Sequence, residues 1–146
     1  MILFTIGFTQ KSAEQFFELI KKERVELLID IRLNNRSQLA GFTKGPDLQY
    51  FLQKICQCNY IHCEEYAPTK ELLEQYKRGK IGWEEYVNIF MPLMKQRSAP
   101  QTFFKRFSKY NRICLLCSEP TPEKCHRRLL AEMLQSQDQT IIIKHI

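Results

Sequence analysis

Five short apolar runs of strand type, separated by helix-periodic or loop-like sequence, recur from one end of the chain to the other. Crossover units feeding a largely parallel sheet need this alternation. The runs are ILFTI at 2–6, ELLIDIR at 26–32, NYIHC at 59–63, RICLLCS at 112–118 and the closing TIIIKHI. The second and fourth are nearly continuous in their hydrophobicity, as strands covered on both faces are. Between the first two, Ser12 offers an N-cap with Gln15 as its capping-box partner, and Phe16, Phe17, Leu19 and Ile20 form the apolar face of the helix that follows. Further helices are predicted over 47–57, 69–77, 82–97, about 100–110, and from near Glu123. Residues 33–46, with Asn34, Asn35, Gly41, Gly45 and Pro46, read as a long loop. Structureless stretches of that length in compact domains are usually functional or mobile. The fold class expected is α/β, a single domain over 1–146 with a mostly parallel sheet of about five strands.

Composition narrows the class further. Hydrophobic residues make up 44% of the chain and Gly and Pro number only 5 and 6, which excludes a disordered or low-complexity protein. No apolar run approaches the roughly 18 residues that span a bilayer, so no membrane contact is expected. MILFTIGFTQ lacks the charged start and small-residue cleavage site of a secretory signal, and a cytoplasmic location is expected. Six cysteines are too few for a disulfide framework, which predicts reduced thiols. The net charge of +6 is local, because Lys95, Arg97, Lys105, Arg106, Lys109 and Arg112 lie in a stretch, 95–112, that contains no acid. Phe103, Phe104, Phe107 and Tyr110 share one helical face there, with bases on the other. Such a surface is either simply solvated or attracts phosphates, and Lys105, Arg106, Lys109 and Arg112 are the candidates for nucleic-acid contact.

In a parallel α/β sheet, ligands bind beyond the carboxyl ends of the strands. The polar residues at those ends are Gly7 and Thr9, Asp30 and Arg32, Asn35 and Arg36, His62 and Glu64, and Cys117, Ser118 and Glu119. Cys117 stands where a buried strand meets the loop leading to Cys125, His126, Arg127 and Arg128, so neighbouring cations and helix N–H groups would favour its thiolate. The alternative is a small buried residue, with His126 and Arg127 tying down the loop. Asp30 in a buried strand needs a partner, and Arg32, two residues on and on the same face, either forms a purely structural pair with it or is held by it to clamp an anion. His62 is a general base or a core-edge histidine. Cys114, Cys117, Cys125 and His126 have the side chains of a zinc site, but an extended 112–118 sends Cys114 and Cys117 to opposite faces, and neighbours on a helix diverge by about 100°. No metal and no cofactor are therefore expected.

The stretches TIGFTQKSAEQFFELIKKERVELLIDIR, PTKELLEQYKRGKIGWEEY and LLCSEPTPEKCHRRLLAEML resemble the bacterial and archaeal domain-of-unknown-function family 488. The most specific part of the resemblance is Cys117-x-Glu119, a short loop and then Cys125-His126-Arg127. It implies a three-layer α/β/α domain inside the cell, and it matches Thr5, Ile6, Gly7, Asp30, Arg32, Arg36, His62 and Glu65 to the family pattern. Phe8 stands where the family often has His, and LNNRSQ replaces its Pro-rich loop. A looser likeness to rhodaneses, in LLIDIR and a strand ending in Cys, lacks their compact Gly-containing cradle. The residues together lead to the expectation of an anionic, phosphate- or nucleotide-like ligand. Arg32, Arg36 and Arg127 would hold it, Asp30 and Glu119 would orient the arginines, and Gly7, His62 and Cys125 would line the site. Cys117 and His126, with Glu119, would carry any reaction. The alternative is a nucleic-acid or protein interaction module built on 95–112.

Overall fold

A computed structural model of the protein describes residues 1–36 and 40–146. Five strands, β1 (Ile2–Gly7), β2 (Leu27–Asp30), β3 (Asn59–His62), β4 (Arg112–Cys117) and β5 (Ile142–His145), form one sheet in the order β3-β2-β4-β1-β5. Every pairing is parallel, with Gly7 opposite Cys117 and Asp30 opposite both Leu116 and His62.

Among the described residues six α-helices cover it: α1 (Ala13–Lys22), α2 (Gly45–Phe51), α3 (Lys70–Lys77), α4 (Trp83–Gln96), α5 (Ala99–Phe107) and α6 (His126–Gln137). The Ser12–Gln15 capping box forms and starts α1. The helix expected over 47–57 begins two residues earlier with Pro46 in its first turn, and its second half, Leu52–Cys56, widens into a π-helical turn. Strand alternation sorts the core into two layers. Phe4, Ile6, Leu28, Cys114 and Leu116 pack with Phe16, Phe17, Ile20 and Leu48 of α1 and α2. Leu3, Leu27, Ile29, Ile113 and Leu115 pack with Tyr86, Phe90, Phe103 and Leu130 of α4, α5 and α6. The result is three layers, helix on sheet on helix.

Chain direction explains this sorting. The connections from β1 to β2 and from β2 to β3 step toward one edge of the sheet over one face. Those from β3 to β4 and from β4 to β5 step back over the other face, as right-handed crossovers require. The chain therefore leaves β4 on the side opposite to that on which it leaves both neighbours, β1 and β2. A crevice opens beyond the carboxyl ends of these three strands, the place where open α/β sheets bind ligands.

Candidate functional site

Cys117, the last residue of β4, lies at the floor of that crevice, a cleft of about 1050 Å³. Cys125 and His126 also line it, and the two sulfurs and a ring nitrogen of His126 lie within 4.8 Å of one another. Their convergence depends on where α6 starts. The helix begins at His126 rather than near Glu123, and Cys125 is its N-cap in extended conformation, with φ −138° and ψ 138°. The expected divergence of two neighbours on a helix therefore does not arise. Cys114 does point away, into the core layer under α1, as strand alternation dictates.

The His126 ring is held at both ends. Nε2 donates to the carbonyl oxygen of Ile31 at 2.8 Å, since a carbonyl only accepts, and this leaves Nδ1 facing Cys117 Sγ at 3.5 Å. Cys117 is the one thiol of the six held below the usual range: the Cys125 side chain hydrogen-bonds to it, the Arg127 charge attracts its anion, and the N–H groups of Glu119 and Ser118 point at it, together outweighing burial. Burial pushes Cys125 and Cys114 far up, Cys58 and Cys63 to about 12, and Cys56 to about 11.

Of the three arginines expected to clamp an anion, Arg127 and Arg32 are held by protein partners and Arg36 lies outside the cleft. Arg127, only 1% exposed, sends Nη1 to the Glu119 carbonyl at 2.6 Å and to Cys125 Sγ at 3.6 Å, and Nε to the Thr5 hydroxyl at 3.3 Å. It anchors the loop before α6 and does not line the cleft. Glu119 reaches the cleft with an exposed side chain, but the atom that Arg127 holds is its carbonyl oxygen. Arg32 forms a bidentate pair with Asp30 at 2.8 and 2.7 Å and donates to the Thr43 carbonyl at 2.6 Å. Its guanidinium lies 5.2 Å from the centre of the Phe8 ring, and Phe8 and Arg32 both face the cleft. Arg36 is exposed and outside the cleft, with its backbone N–H bonded to the Asn34 side chain. His62 also lies outside, its Nε2 bonded to the Arg32 carbonyl at 2.7 Å, so it props the end of β2 and does not face a ligand.

Gly7 has a backbone role. A Cβ placed there would lie 1.6 Å from the Glu119 carbonyl oxygen and 2.9 Å from Arg127 Nη1, so only glycine lets the end of β1 pass under the 118–125 loop. Gly7→Ala is expected to lower the thermal midpoint by more than about 5 °C, since overpacking against backbone costs about 1–3 kcal/mol or more in a domain of this size. A melting curve checks it, and an unchanged midpoint would contradict the close approach.

The cations that do face the cleft carry no mark in the sequence: Lys11 from the loop after β1, Lys77 from the end of α3, and Lys124 next to the N-cap. They make three lysines against one acid, Glu119, since the charge of Arg32, which also lines the cleft, is paired with Asp30. Burial, with the nearby Arg127 charge, lowers the Lys11 pKa. Tyr76, Trp83 and Tyr86 form the opposite wall, and Trp83, Tyr86 and Phe90 stack at 5.1 and 5.9 Å in a row that ends 5.7 Å from the His126 ring. The spacing of these aromatics marks a helix, but nothing local shows that α4 leans over β4. The basic stretch 95–112 contributes nothing to the cleft. Arg106 pairs with Glu65, Arg112 with Glu23 at the amino end of β4, and Lys109 lies over Tyr110.

The model of one family, a domain of unknown function designated DUF488, matches residues 12–134, which include the whole Cys117 to Arg127 motif. The chain belongs to the DUF488 family. Neither curated proteins nor solved structures give a match. In this DUF488 chain, then, Cys-x-Glu and Cys-His-Arg are two ends of one loop. Its first cysteine, second cysteine and histidine meet at the cleft floor, while its arginine is buried behind them as an anchor.

Proposed function

We propose that the protein binds an anionic, flat ligand of the nucleotide class in this cleft, in the cytoplasm, with Cys117 and His126 as the pair at which chemistry takes place. The observation that carries the reading is the composition of the cleft wall, three lysines, Lys11, Lys77 and Lys124, against one acid, facing an aromatic surface of Tyr76 and Trp83. Cations attract phosphate, and an aromatic face accepts a planar base by stacking, so the two features together select a ligand with both parts. The position of the cleft, at the reversal of strand order, supports the same reading. Bases of 95–112 turned toward Glu65, Glu23 and the carbonyls of Glu65 and Ala67 give the nucleic-acid alternative no comparable support.

Trp83 is the only tryptophan in the chain, so intrinsic fluorescence reports on the cleft directly. Nucleoside monophosphates and diphosphates are expected to quench it saturably at low salt. In the double variant Lys77→Ala/Lys124→Ala, the midpoint should rise by about tenfold, equivalent to about 1.4 kcal/mol. Quenching that does not saturate, or a midpoint indifferent to both lysines, would overturn the proposal.

A further inference from the structure

We infer that Cys117, Cys125 and His126 form a binding site for a divalent zinc-type ion, with the fourth coordination position open to the cleft. The inference deepens the reading of the cleft by naming what the Cys/His pair holds, and its test needs no nucleotide.

Three geometric facts lead to it. First, tetrahedral zinc with Zn–S near 2.3 Å and Zn–N near 2.0–2.1 Å places sulfur and nitrogen about 3.6 Å apart and two sulfurs about 3.8 Å apart. Cys117 Sγ and His126 Nδ1 lie 3.5 Å apart, which is already one edge of that tetrahedron, and Cys125 Sγ is within 4.8 Å of both. Second, the histidine is prepared as a ligand. Metal-binding imidazoles donate their other N–H to a carbonyl or carboxylate, which fixes the ring and turns its lone pair toward the ion. Here that bond is His126 Nε2–H to Ile31 O at 2.8 Å. Third, donor chemistry selects the ion. Two thiolates and an imidazole suit zinc and exclude magnesium and calcium, which take oxygen.

The number of donors decides between a closed and an open site. Among the described residues no fourth Cys, His, Asp or Glu joins the cluster, whereas all three members line the cleft. Structural zinc sites are closed by four protein ligands, and sites with three protein ligands leave a position for water or substrate. Two thiolates neutralise a dication. The Arg127 guanidinium, 3.6 Å from Cys125 Sγ, then leaves the centre with a positive excess that favours an anionic oxygen at the open corner. A phosphate held by the cleft lysines would supply one.

The experiment uses the whole chain, reduced and freed of metal by a chelator, titrated with cobalt(II) alone. The expected result is one equivalent bound with thiolate-to-cobalt charge transfer and the intense absorption of a tetrahedral centre, displaced by zinc. Cys125→Ser should weaken binding by more than the roughly 10–100-fold that loss of an outer-shell partner costs, and Cys56→Ser should leave it unchanged. A weak octahedral spectrum, or binding by Cys125→Ser equal to the parent's, overturns the inference. Should Cys125→Ser fail to fold, the parent's spectrum decides, because charge transfer from two thiolates supports the site and from one or none refutes it. Trp83 quenching by nucleotides in the metal-free protein is read separately, so the cleft reading and the metal site can fail independently.

Discussion

Asp30→Ala is expected to lower the unfolding free energy by about 3–5 kcal/mol, read from the shift of the urea midpoint. Asp30 is fully buried, and its two carboxylate oxygens receive Arg32 Nε and Nη2, the Arg32 backbone N–H and, at 2.8 Å, the Tyr60 hydroxyl. Removing it leaves a guanidinium that is itself only 3% exposed without its counter-charge. The cost is that of stranding the arginine, not the net contribution of the pair, since desolvating both partners offsets most of their attraction. Asp30→Leu combined with Arg32→Met should therefore cost clearly less than the sum of the two single changes. A loss below about 1 kcal/mol for Asp30→Ala would mean that Arg32 finds another partner or turns to solvent.

The second large effect is expected at Arg127. Arg127→Ala should cost about 3–5 kcal/mol, as other large-to-small changes at fully buried sites do. It opens a cavity behind the Cys117–His126 pair and removes the donor to the Glu119 carbonyl. Arg127→Met fills most of the volume and leaves that carbonyl and, more weakly, Cys125 Sγ short of a donor, while the Thr5 hydroxyl keeps its bond to His145 Nδ1. Its cost should be about 1–2 kcal/mol, because the carbonyl is partly reachable by water. Equal losses for Ala and Met would show that the hydrogen bonds, and not the packed volume, hold the loop. Denaturant titration separates the two.

What was legible in the sequence and what was not divides along one physical line. Period and capping are local, so the Ser12 cap, five strands and the opposed directions of Cys114 and Cys117 could be read from neighbouring residues. The partnership of Asp30 with Arg32 was legible too, because a carboxylate in a buried strand needs a counter-charge and Arg32 is the nearest base in the sequence. The N-cap at Cys125 was not, since Glu123 is an equally good start for a helix. Tertiary packing of Arg127 under Gly7 sets the true start instead. The cleft lysines and Trp83 stood even further out of reach. Lys77 and Trp83 come from the connection between β3 and β4, Lys11 from the loop after β1 and Lys124 from the loop before α6, and only tertiary packing brings the three segments around one cleft. Arg32, Arg36 and Arg127 carry the right charge near the carboxyl edge of the sheet, but burial and protein partners take Arg32 and Arg127, and the cleft does not reach Arg36.

The strand order also has a consequence for synthesis. β1 lies between β4 and β5, both near the carboxyl end, so the first strand translated has no sheet partner until residues 112–117 emerge. β2 and β3 can pair early, but β1 waits with its apolar residues and both hydrogen-bonding edges bare. Unpaired edges of this kind seed aggregation. A nascent chain that stalls or is truncated before residue 112 would be a client for holding chaperones, and completion of β4 is the event that joins β1 to β2 and sets Cys117 in place.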